Sequence, residues 1–192
     1  MSPERIEAGR SQAREPWLDG RVALVTGGSK GIGLATAVRF ADAGARGVAI
    51  LARGEERLAA AAVAVDQRAG RDGARAIVCA GTQEAQVVSA FEQTLRAFGD
   101  LHIVVSNAGG ATSGDLDETS LDQWNEIMAV HATAYFLVAR EAVRTFKRLG
   151  HGGNIVFVAS DNGVKPGKRF LAYNAAKAAE LHMARCIAEE AV

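Results

Sequence analysis

The chain of 192 residues has few of the features that mark secreted, membrane-embedded or nucleic-acid-binding proteins. Its longest unbroken apolar run, LAAAAVAV at 58–65, is too short to span a bilayer. Equal numbers of basic and acidic side chains, 22 of each, argue against bulk attraction to nucleic acid or to an anionic membrane. No basic stripe with interleaved aromatic residues is present, so no nucleic-acid partner is expected.

Cysteine is also scarce, because the chain has only Cys79 and Cys186. The two are far apart and have no metal-ligand spacing around them, so both are predicted to be small core residues in a reducing cytoplasm. The four histidines form no HExxH-like cluster, and no metal site is expected; they are His102, His131, His151 and His182.

The first 19 residues contain acidic side chains and no apolar stretch, which is not typical of a signal peptide. We expect residues 1–19 to form a flexible arm. The remaining residues, 20–192, suit one domain with a sizeable core.

From residue 21 onward, short runs rich in β-branched residues alternate with longer alanine-rich segments of helical period. Strict alternation of strand and helix predicts right-handed βαβ units and a doubly wound parallel sheet, an α/β fold. The nearly continuous apolar character of the strands fits a sheet that is covered on both faces. The predicted strands are 21–26, 47–52, 74–79, 101–106 and 154–160, and the predicted helices are 32–43, 55–70, 84–98, 121–149 and 172–190.

Ligands of such sheets bind beyond the carboxyl ends of the strands, so the residues that follow each strand carry the most information. After the first strand comes TGGSKGIG, residues 26–33, which opens directly into a helix. Glycines there let the backbone approach a pyrophosphate, and the helix start offers it free N–H groups. The alternative is a generic tight turn. The candidate cofactor contacts are Gly27, Ser29, Lys30, Gly31, Ile32 and Gly33.

Three further motifs follow in order. SNAG at 106–109 ends the fourth strand, Ser160 ends the fifth, and Tyr173 and Lys177 follow at the spacing S-x12-Y-x3-K. Together with TGxxxGxG, these motifs make the chain resemble the short-chain dehydrogenase/reductase family from about Arg21 to its last residue. The resemblance implies a Rossmann fold over 20–192, a nicotinamide cofactor contacted by Asn107, Ala108 and Gly109, and assembly into a homodimer or homotetramer.

The end of the second strand helps to select the cofactor. A carboxylate there binds the ribose 2′-hydroxyl of NAD, whereas an arginine accommodates the 2′-phosphate of NADP. This chain has Arg53 at that place, and Lys30 adds a second cation, so NADP(H) is favoured over NAD(H). The alternative is that Arg53 is only a solvated residue at a helix start. Relatives commonly have an aspartate after strand three, and Ala80 and Gly81 stand there instead.

Tyr173 and Lys177 lie four residues apart on an alanine-rich predicted helix, so they share one face. An unperturbed tyrosine has a pKa of about 10, and a nearby ammonium favours the phenolate, as a general acid–base needs near neutral pH. We interpret Tyr173 as the acid–base, with Lys177 tuning it and holding the nicotinamide ribose. Ser160 would orient a small alcohol or carbonyl substrate. The alternatives are a purely structural helix or a nucleotide-binding module without turnover.

By the same resemblance, His131 stands where relatives have an asparagine that completes a proton relay. A histidine could relay protons, since its ordinary pKa lies near neutrality, or it could simply pack. We therefore include His131 among the catalytic candidates, with packing as the alternative.

Relatives also continue beyond the point where this chain ends, with a sixth strand, a substrate loop and a seventh strand. The chain is therefore expected to be C-terminally truncated relative to the family. It is a fragment of a longer protein, the ordered portion of one, or a truncated gene product. The stretch 140–190 is similar to the dehydrogenase half of bifunctional rhamnulose-phosphate aldolase/lactaldehyde dehydrogenases and their single-domain relatives, which suggests a small hydroxyaldehyde or sugar-derived alcohol as substrate.

Overall fold

The computed structural model describes residues 16–190, which form alternating strands and helices around a five-stranded sheet. The strands are β1 (Val22–Thr26), β2 (Gly47–Ala52), β3 (Ala74–Val78), β4 (Ile103–Ser106) and β5 (Asn154–Phe157). The α-helices are α1 (Gly31–Asp42), α2 (Glu55–Ala69), α3 (Glu84–Phe98), α4 (Leu121–Met128), α5 (Ala134–Leu149) and α6 (Leu171–Glu190).

The five strands are parallel and lie in the order β3-β2-β1-β4-β5. The chain therefore reverses its direction of winding between β3 and β4, and the switch point lies at the carboxyl ends of β1 and β4. This architecture confirms the predicted doubly wound α/β fold. Among the described residues β5 pairs with β4 alone, and Val156 on that edge strand is 47% exposed.

Both faces of the sheet are covered, which explains the continuous apolar strands. On one face Leu24 and Leu51 pack with α3 and α5 through Phe91 and Val138. On the other face Val25 and Ile50 pack with α1 and α2. All five residues of β1 are buried, as expected for the central strand of a covered sheet.

The two cysteines differ in their surroundings. Cys79 is buried, as predicted, and burial raises the pKa of its thiol to about 11. The prediction that Cys186 is a core residue is wrong, because this cysteine is exposed on α6. The last turns of α6 carry exposed residues at most positions, so the packed stripe of this helix ends before Cys186.

The helix predicted over 121–149 is interrupted. A π-helical segment, Ala129–Thr133, separates α4 from α5, and His131 lies at its centre. Such segments insert one extra residue in the turn and occur frequently at functional sites. The apolar period continues through the interruption, which is why the sequence predicted one helix.

The start of the described chain packs against the domain. Leu18 donates a backbone hydrogen bond to the Ala43 carbonyl (3.0 Å), and Asp19 forms an isolated bridge with Ala45. The earlier part of the arm predicted at 1–19, residues 1–15, lies outside the described residues. Within 16–190, none of the helices combines the length and the apolar composition that crossing a membrane requires.

Candidate active site

The glycine-rich segment turns the chain sharply between β1 and α1. Gly27 has φ +64°, in the left-handed region that favours glycine. Gly33 packs so closely that a Cβ there would lie 2.4 Å from the Gly27 carbonyl oxygen. Helix α1 begins after Lys30 without any side-chain cap, so its first N–H groups remain available to an anion. Ser29, Lys30, Gly31 and Ile32 complete the segment.

Asn107 ties this turn to β4. Its side-chain amide donates to the carbonyls of Thr26 (3.0 Å) and Gly27 (3.3 Å). In return the Thr26 hydroxyl accepts from the backbone N–H groups of Asn107 (2.9 Å) and Ala108 (3.1 Å). Four hydrogen bonds thus hold the carboxyl ends of β1 and β4 together and fix the glycine turn at the switch point.

The neighbouring strand end supplies cationic side chains. The Gly28 N–H donates to the Leu51 carbonyl (3.1 Å), which places the glycine turn beside the end of β2. Arg53 follows β2 directly and is exposed, as is Lys30. Within residues 16–190, neither cation has a carboxylate within ion-pair distance. After β3, the Ala80 N–H is bound by the Gln86 side chain (2.8 Å).

Helix α6 brings Tyr173 and Lys177 to one face, as the spacing predicted. The Lys177 ammonium lies 5.6 Å from the centre of the Tyr173 ring. Tyr173 is partly exposed, whereas Lys177 is 4% exposed. Part of the Tyr173 side chain is therefore accessible, whereas the Lys177 side chain beside it is enclosed by protein.

Glu180, one turn further along α6, was not anticipated from the sequence. Both of its carboxylate oxygens accept from the Lys177 ammonium, at 3.0 and 2.9 Å, and the third Lys177 hydrogen bond goes to the Val158 carbonyl (3.0 Å). An ammonium has three N–H donors, so all three are occupied by protein acceptors. The predicted contact of Lys177 with a nicotinamide ribose requires one of these bonds to be exchanged.

His131 joins the same cluster from the π-helical segment. Its Nδ1 lies 2.8 Å from Glu180 Oε1, and its ring packs edge-on against Tyr173 with the ring centres 5.3 Å apart. A Cβ on Gly109 would lie 2.7 Å from the imidazole, so the last residue of SNAG must be small for His131 to fit. The structure thus brings His131, Tyr173 and Lys177 together.

Ser160 lies at the start of a short 3-10 segment, Asp161–Gly163, after β5. Its hydroxyl donates to Asp161 Oδ1 (3.2 Å) and accepts from the Asn162 N–H (3.2 Å). The segment packs tightly on α6, since a Cβ on Gly163 would lie 2.7 Å from the Lys177 carbonyl oxygen. Ser160 is therefore held next to the helix that carries Tyr173, with its hydroxyl engaged locally.

Three features match one protein family: the order of the strands, the glycine turn that Asn107 holds, and the Tyr173–Lys177 pair. The profile of the family described as short chain dehydrogenase matches residues 21–192. The chain belongs to this family. Its relatives include the uncharacterized oxidoreductase YuxG of Bacillus subtilis, which is 47% identical over 174 residues, or 88% of this chain and 24% of YuxG.

Another family member, the NADP-dependent (R)-specific alcohol dehydrogenase of Lentilactobacillus kefiri, is 34% identical over 89% of this chain and 66% of its own length. Among solved structures, an NAD⁺-bound xylitol dehydrogenase superposes with a TM-score of 0.86 at 30% identity, covering 91% of this chain and 66% of that one. This chain thus spans about two thirds of these two proteins and about a quarter of YuxG.

Glu180 did leave a signal in the sequence. It follows Ala172 and Ala176 at intervals of four, and both alanines are buried. A charged residue on the apolar stripe of a helix predicts a buried ion pair. Its second partner, His131, is 49 residues away and could not be read from local spacing.

The structure also assembles a His–Asp cluster that the sequence did not suggest, at the amino ends of β4 and β5. Ligand atoms of Asp100, His102 and His151 lie within 4.8 Å of one another. However, His102 Nδ1 accepts from the Val22 N–H (3.1 Å), so a neutral His102 carries its proton on Nε2, which faces Asp100. That nitrogen would have to lose its proton to bind a metal. The three side chains are therefore better suited to hydrogen-bond one another than to bind a metal ion.

Proposed function

We propose that this chain is an NADP(H)-dependent short-chain oxidoreductase that transfers a hydride between nicotinamide and a small alcohol or carbonyl substrate. One observation carries the proposal: Tyr173 lies partly exposed on α6, with Lys177 and His131 packed against its ring. A partly exposed tyrosine beside an ammonium and an imidazole is suited to exchange a proton with a substrate oxygen.

The residues around the glycine turn fit a dinucleotide. The uncapped start of α1 and the tight approach at Gly33 suit a pyrophosphate, which the N–H groups of α1 would bind. Arg53 and Lys30 would bind a 2′-phosphate, because both are exposed cations near the end of β2. When bound, the nicotinamide supplies the hydride chemistry.

In the proposed reaction Tyr173 gives its phenolic proton to the substrate oxygen during reduction and takes it back during oxidation. Ser160 would bind the same oxygen after its hydroxyl rotates away from Asp161. The hydrogen bond that it would give up, from Ser160 Oγ to Asp161 Oδ1, is 3.2 Å long and exposed. His131 would connect this acid–base unit to a proton relay, because its ring contacts both Tyr173 and the partner of Lys177.

For the substrate, we propose a small hydroxyaldehyde or sugar-derived alcohol, following the likeness of 140–190 to the dehydrogenase half of rhamnulose-phosphate aldolase fusions. The relatives described above include a dehydrogenase named for xylitol, a sugar alcohol. We further propose a cytoplasmic homodimer or homotetramer. Leu121 on α4 and Phe136 on α5 are 72% and 46% exposed, and a partner subunit would cover such apolar side chains.

The alternative function is a nucleotide-binding module without turnover. The observation that favours it is the complete use of the Lys177 donors by Glu180 and Val158, which leaves none to orient the nicotinamide ribose of a bound cofactor for hydride transfer. Substrate turnover distinguishes the two proposals, because both predict cofactor binding.

The proposal is tested by following NADPH oxidation with a panel of small aldehydes and ketones. We expect Tyr173→Phe to lower kcat by about 10²- to 10⁴-fold, since it removes the acid–base group, and to keep NADPH binding as measured by cofactor fluorescence. Tyr135→Phe is the matched control: it removes the one other phenol of the chain, which is buried and donates to the Val158 carbonyl (3.3 Å).

Equal turnover by Tyr173→Phe and the parent protein would refute the catalytic role of Tyr173. If the parent protein binds NADPH but reduces no compound in the panel, the binding module is the better description.

A further inference from the structure

Glu180 is a fully buried carboxylate at the back of the proposed active site. It is 0% exposed, and it lies on the face of α6 that includes the buried Ala172 and Ala176. Burying a charge is costly unless it is paired and hydrogen-bonded. Glu180 meets this condition only through Lys177 and His131, so its interactions are with the very residues that surround Tyr173.

The pairing changes the electrostatics expected at Tyr173. Lys177 was predicted to act on the phenol as a free positive charge. Its ammonium is instead bound by both oxygens of Glu180, at 3.0 and 2.9 Å, and a contact ion pair has no net charge. The field of the ammonium at Tyr173 is therefore largely offset.

His131 is the second partner of Glu180. Both ring nitrogens lie near acceptors: Nδ1 is 2.8 Å from Glu180 Oε1, and Nε2 is 2.6 Å from the Gly110 carbonyl oxygen. A neutral imidazole has one N–H and can donate to only one of them, whereas an imidazolium donates to both. The Gly110 N–H is also 3.3 Å from Nε2, but the carbonyl contact is the shorter one.

We propose that Glu180 is a positioning residue of the active site, which holds Lys177 and His131 together and offsets the Lys177 charge beside Tyr173. The proposal rests on the oxidoreductase function proposed above, in which Tyr173 exchanges the proton.

The other groups that face the cluster do not alter this balance. From α5, Tyr135 lies below Lys177, with its ring centre 5.3 Å from the ammonium. Burial, followed by the charges of Glu180 and Tyr173, raises the pKa of Tyr135, so it stays neutral. From the segment after β5, the Val158 carbonyl is the remaining acceptor of Lys177.

The chain contains two tyrosines, which allows a test without substrate or cofactor. Because buried Tyr135 stays protonated, the ultraviolet absorbance of tyrosinate in the folded protein reports on Tyr173. We expect Glu180→Gln to move the midpoint of this titration to lower pH by roughly one unit, since it removes the negative charge. The double variant Lys177→Gln/Glu180→Gln removes both charges of the pair, so its midpoint should stay near that of the parent protein, whereas loss of a free Lys177 charge would raise it.

The matched control is Glu141→Gln, which neutralises another buried carboxylate. Glu141 lies on α5 and is paired with Arg144 at 2.7 Å. This variant should leave the Tyr173 midpoint unchanged. Circular dichroism verifies that each variant is folded. If Glu180→Gln does not fold, the double variant decides the proposal. An unchanged or higher midpoint in folded Glu180→Gln, or a higher midpoint in the folded double variant, would overturn it.

This result is independent of the proposed function. A protein that turns over no substrate but gives both expected midpoints would retain the role of Glu180 in setting the charge near Tyr173, and only the catalytic interpretation would be lost.

Discussion

A histidine hydrogen-bonded to a carboxylate lies near each end of the parallel strands, and the two pairs differ in burial. The side of the sheet at the carboxyl ends of the strands is called the carboxyl edge here, and the side at their amino ends is called the amino edge. At the carboxyl edge His131 and Glu180 lie 2.8 Å apart and their side chains are 1% and 0% exposed. At the amino edge His151 and Asp100 lie 2.9 Å apart and are 36% and 31% exposed. The contact distances are nearly equal, so the distance alone does not decide what each pair does.

Burial decides it. An exposed ion pair contributes little to stability, because water and salt screen it. Removing one partner of a buried hydrogen-bonded pair costs about 1–3 kcal/mol, because the remaining group is left unsatisfied. The carboxyl-edge pair therefore constrains Lys177 and Tyr173 strongly, whereas the amino-edge pair adjusts stability only slightly. The next three predictions sharpen this contrast.

The largest effect is expected from Gly33→Ala at the carboxyl edge. The added Cβ would lie 2.4 Å from the Gly27 carbonyl oxygen and 2.5 Å from Asn107 Nδ2, so the turn bound by Asn107 must shift. We expect a loss of about 1–3 kcal/mol of unfolding free energy and of most NADPH binding. Chemical denaturation and cofactor fluorescence measure the two effects.

The control for this variant is Gly152→Ala at the amino edge, where a Cβ would meet nothing within 4 Å. Equal effects of the two variants would show that the contrast between the edges is not one of packing.

An intermediate effect is expected from Arg53→Ser. This variant removes the cation proposed to bind the 2′-phosphate, and a hydrogen bond to a charged group contributes about 1.5–3 kcal/mol. The preference for NADPH over NADH, measured as a ratio of dissociation constants, should fall by about 10- to 100-fold. Arg96→Ser, at an exposed site near the amino edge, should leave the ratio as it is. A ratio unaffected by Arg53→Ser would contradict the cofactor assignment.

The smallest effect concerns the amino-edge pair and depends on pH. The Gly152 carbonyl and the Asp100 carboxylate raise the pKa of His151. Burial opposes ionisation of Asp100, but hydrogen bonds from His151 and the Leu101 N–H, with the nearby imidazoles, lower its pKa overall. His151 then stabilises the fold fully below its unfolded pKa, about 6.5, and Asp100 does so above about 4.

The stabilisation is therefore greatest between about pH 4 and 6.5 and is lost as the pH rises through the folded pKa of His151. We expect His151→Gln to lower the denaturation midpoint slightly at pH 6 or so and not at alkaline pH, and high salt should reduce the difference. A difference that grows with pH would contradict this sign. Burial lowers the pKa of neighbouring His102. This effect is present in the parent protein and in His151→Gln, so it largely cancels when the two are compared.

Much of the fold was predictable because its signals are local. Apolar runs gave the five strands within a few residues, and the glycines after β1 specified the turn that leads into α1. The spacing of Tyr173 and Lys177 placed them on one helical face, as observed. The exposure of Cys186 was missed, because the alanine-rich pattern continues after the packed part of α6 has ended.

The sequence by itself determined the alternation of strands and helices, the glycine turn after β1 and the face shared by Tyr173 and Lys177, because each depends on residues within a few positions of one another. Only the tertiary structure decided that His131 in a π-helical segment meets Glu180, 49 residues away, and that Asp100 meets His151, 51 residues away. Such contacts depend on how whole elements pack against the sheet. Burial, which sets the strength of each pair, is a property of that packing and not of any local pattern.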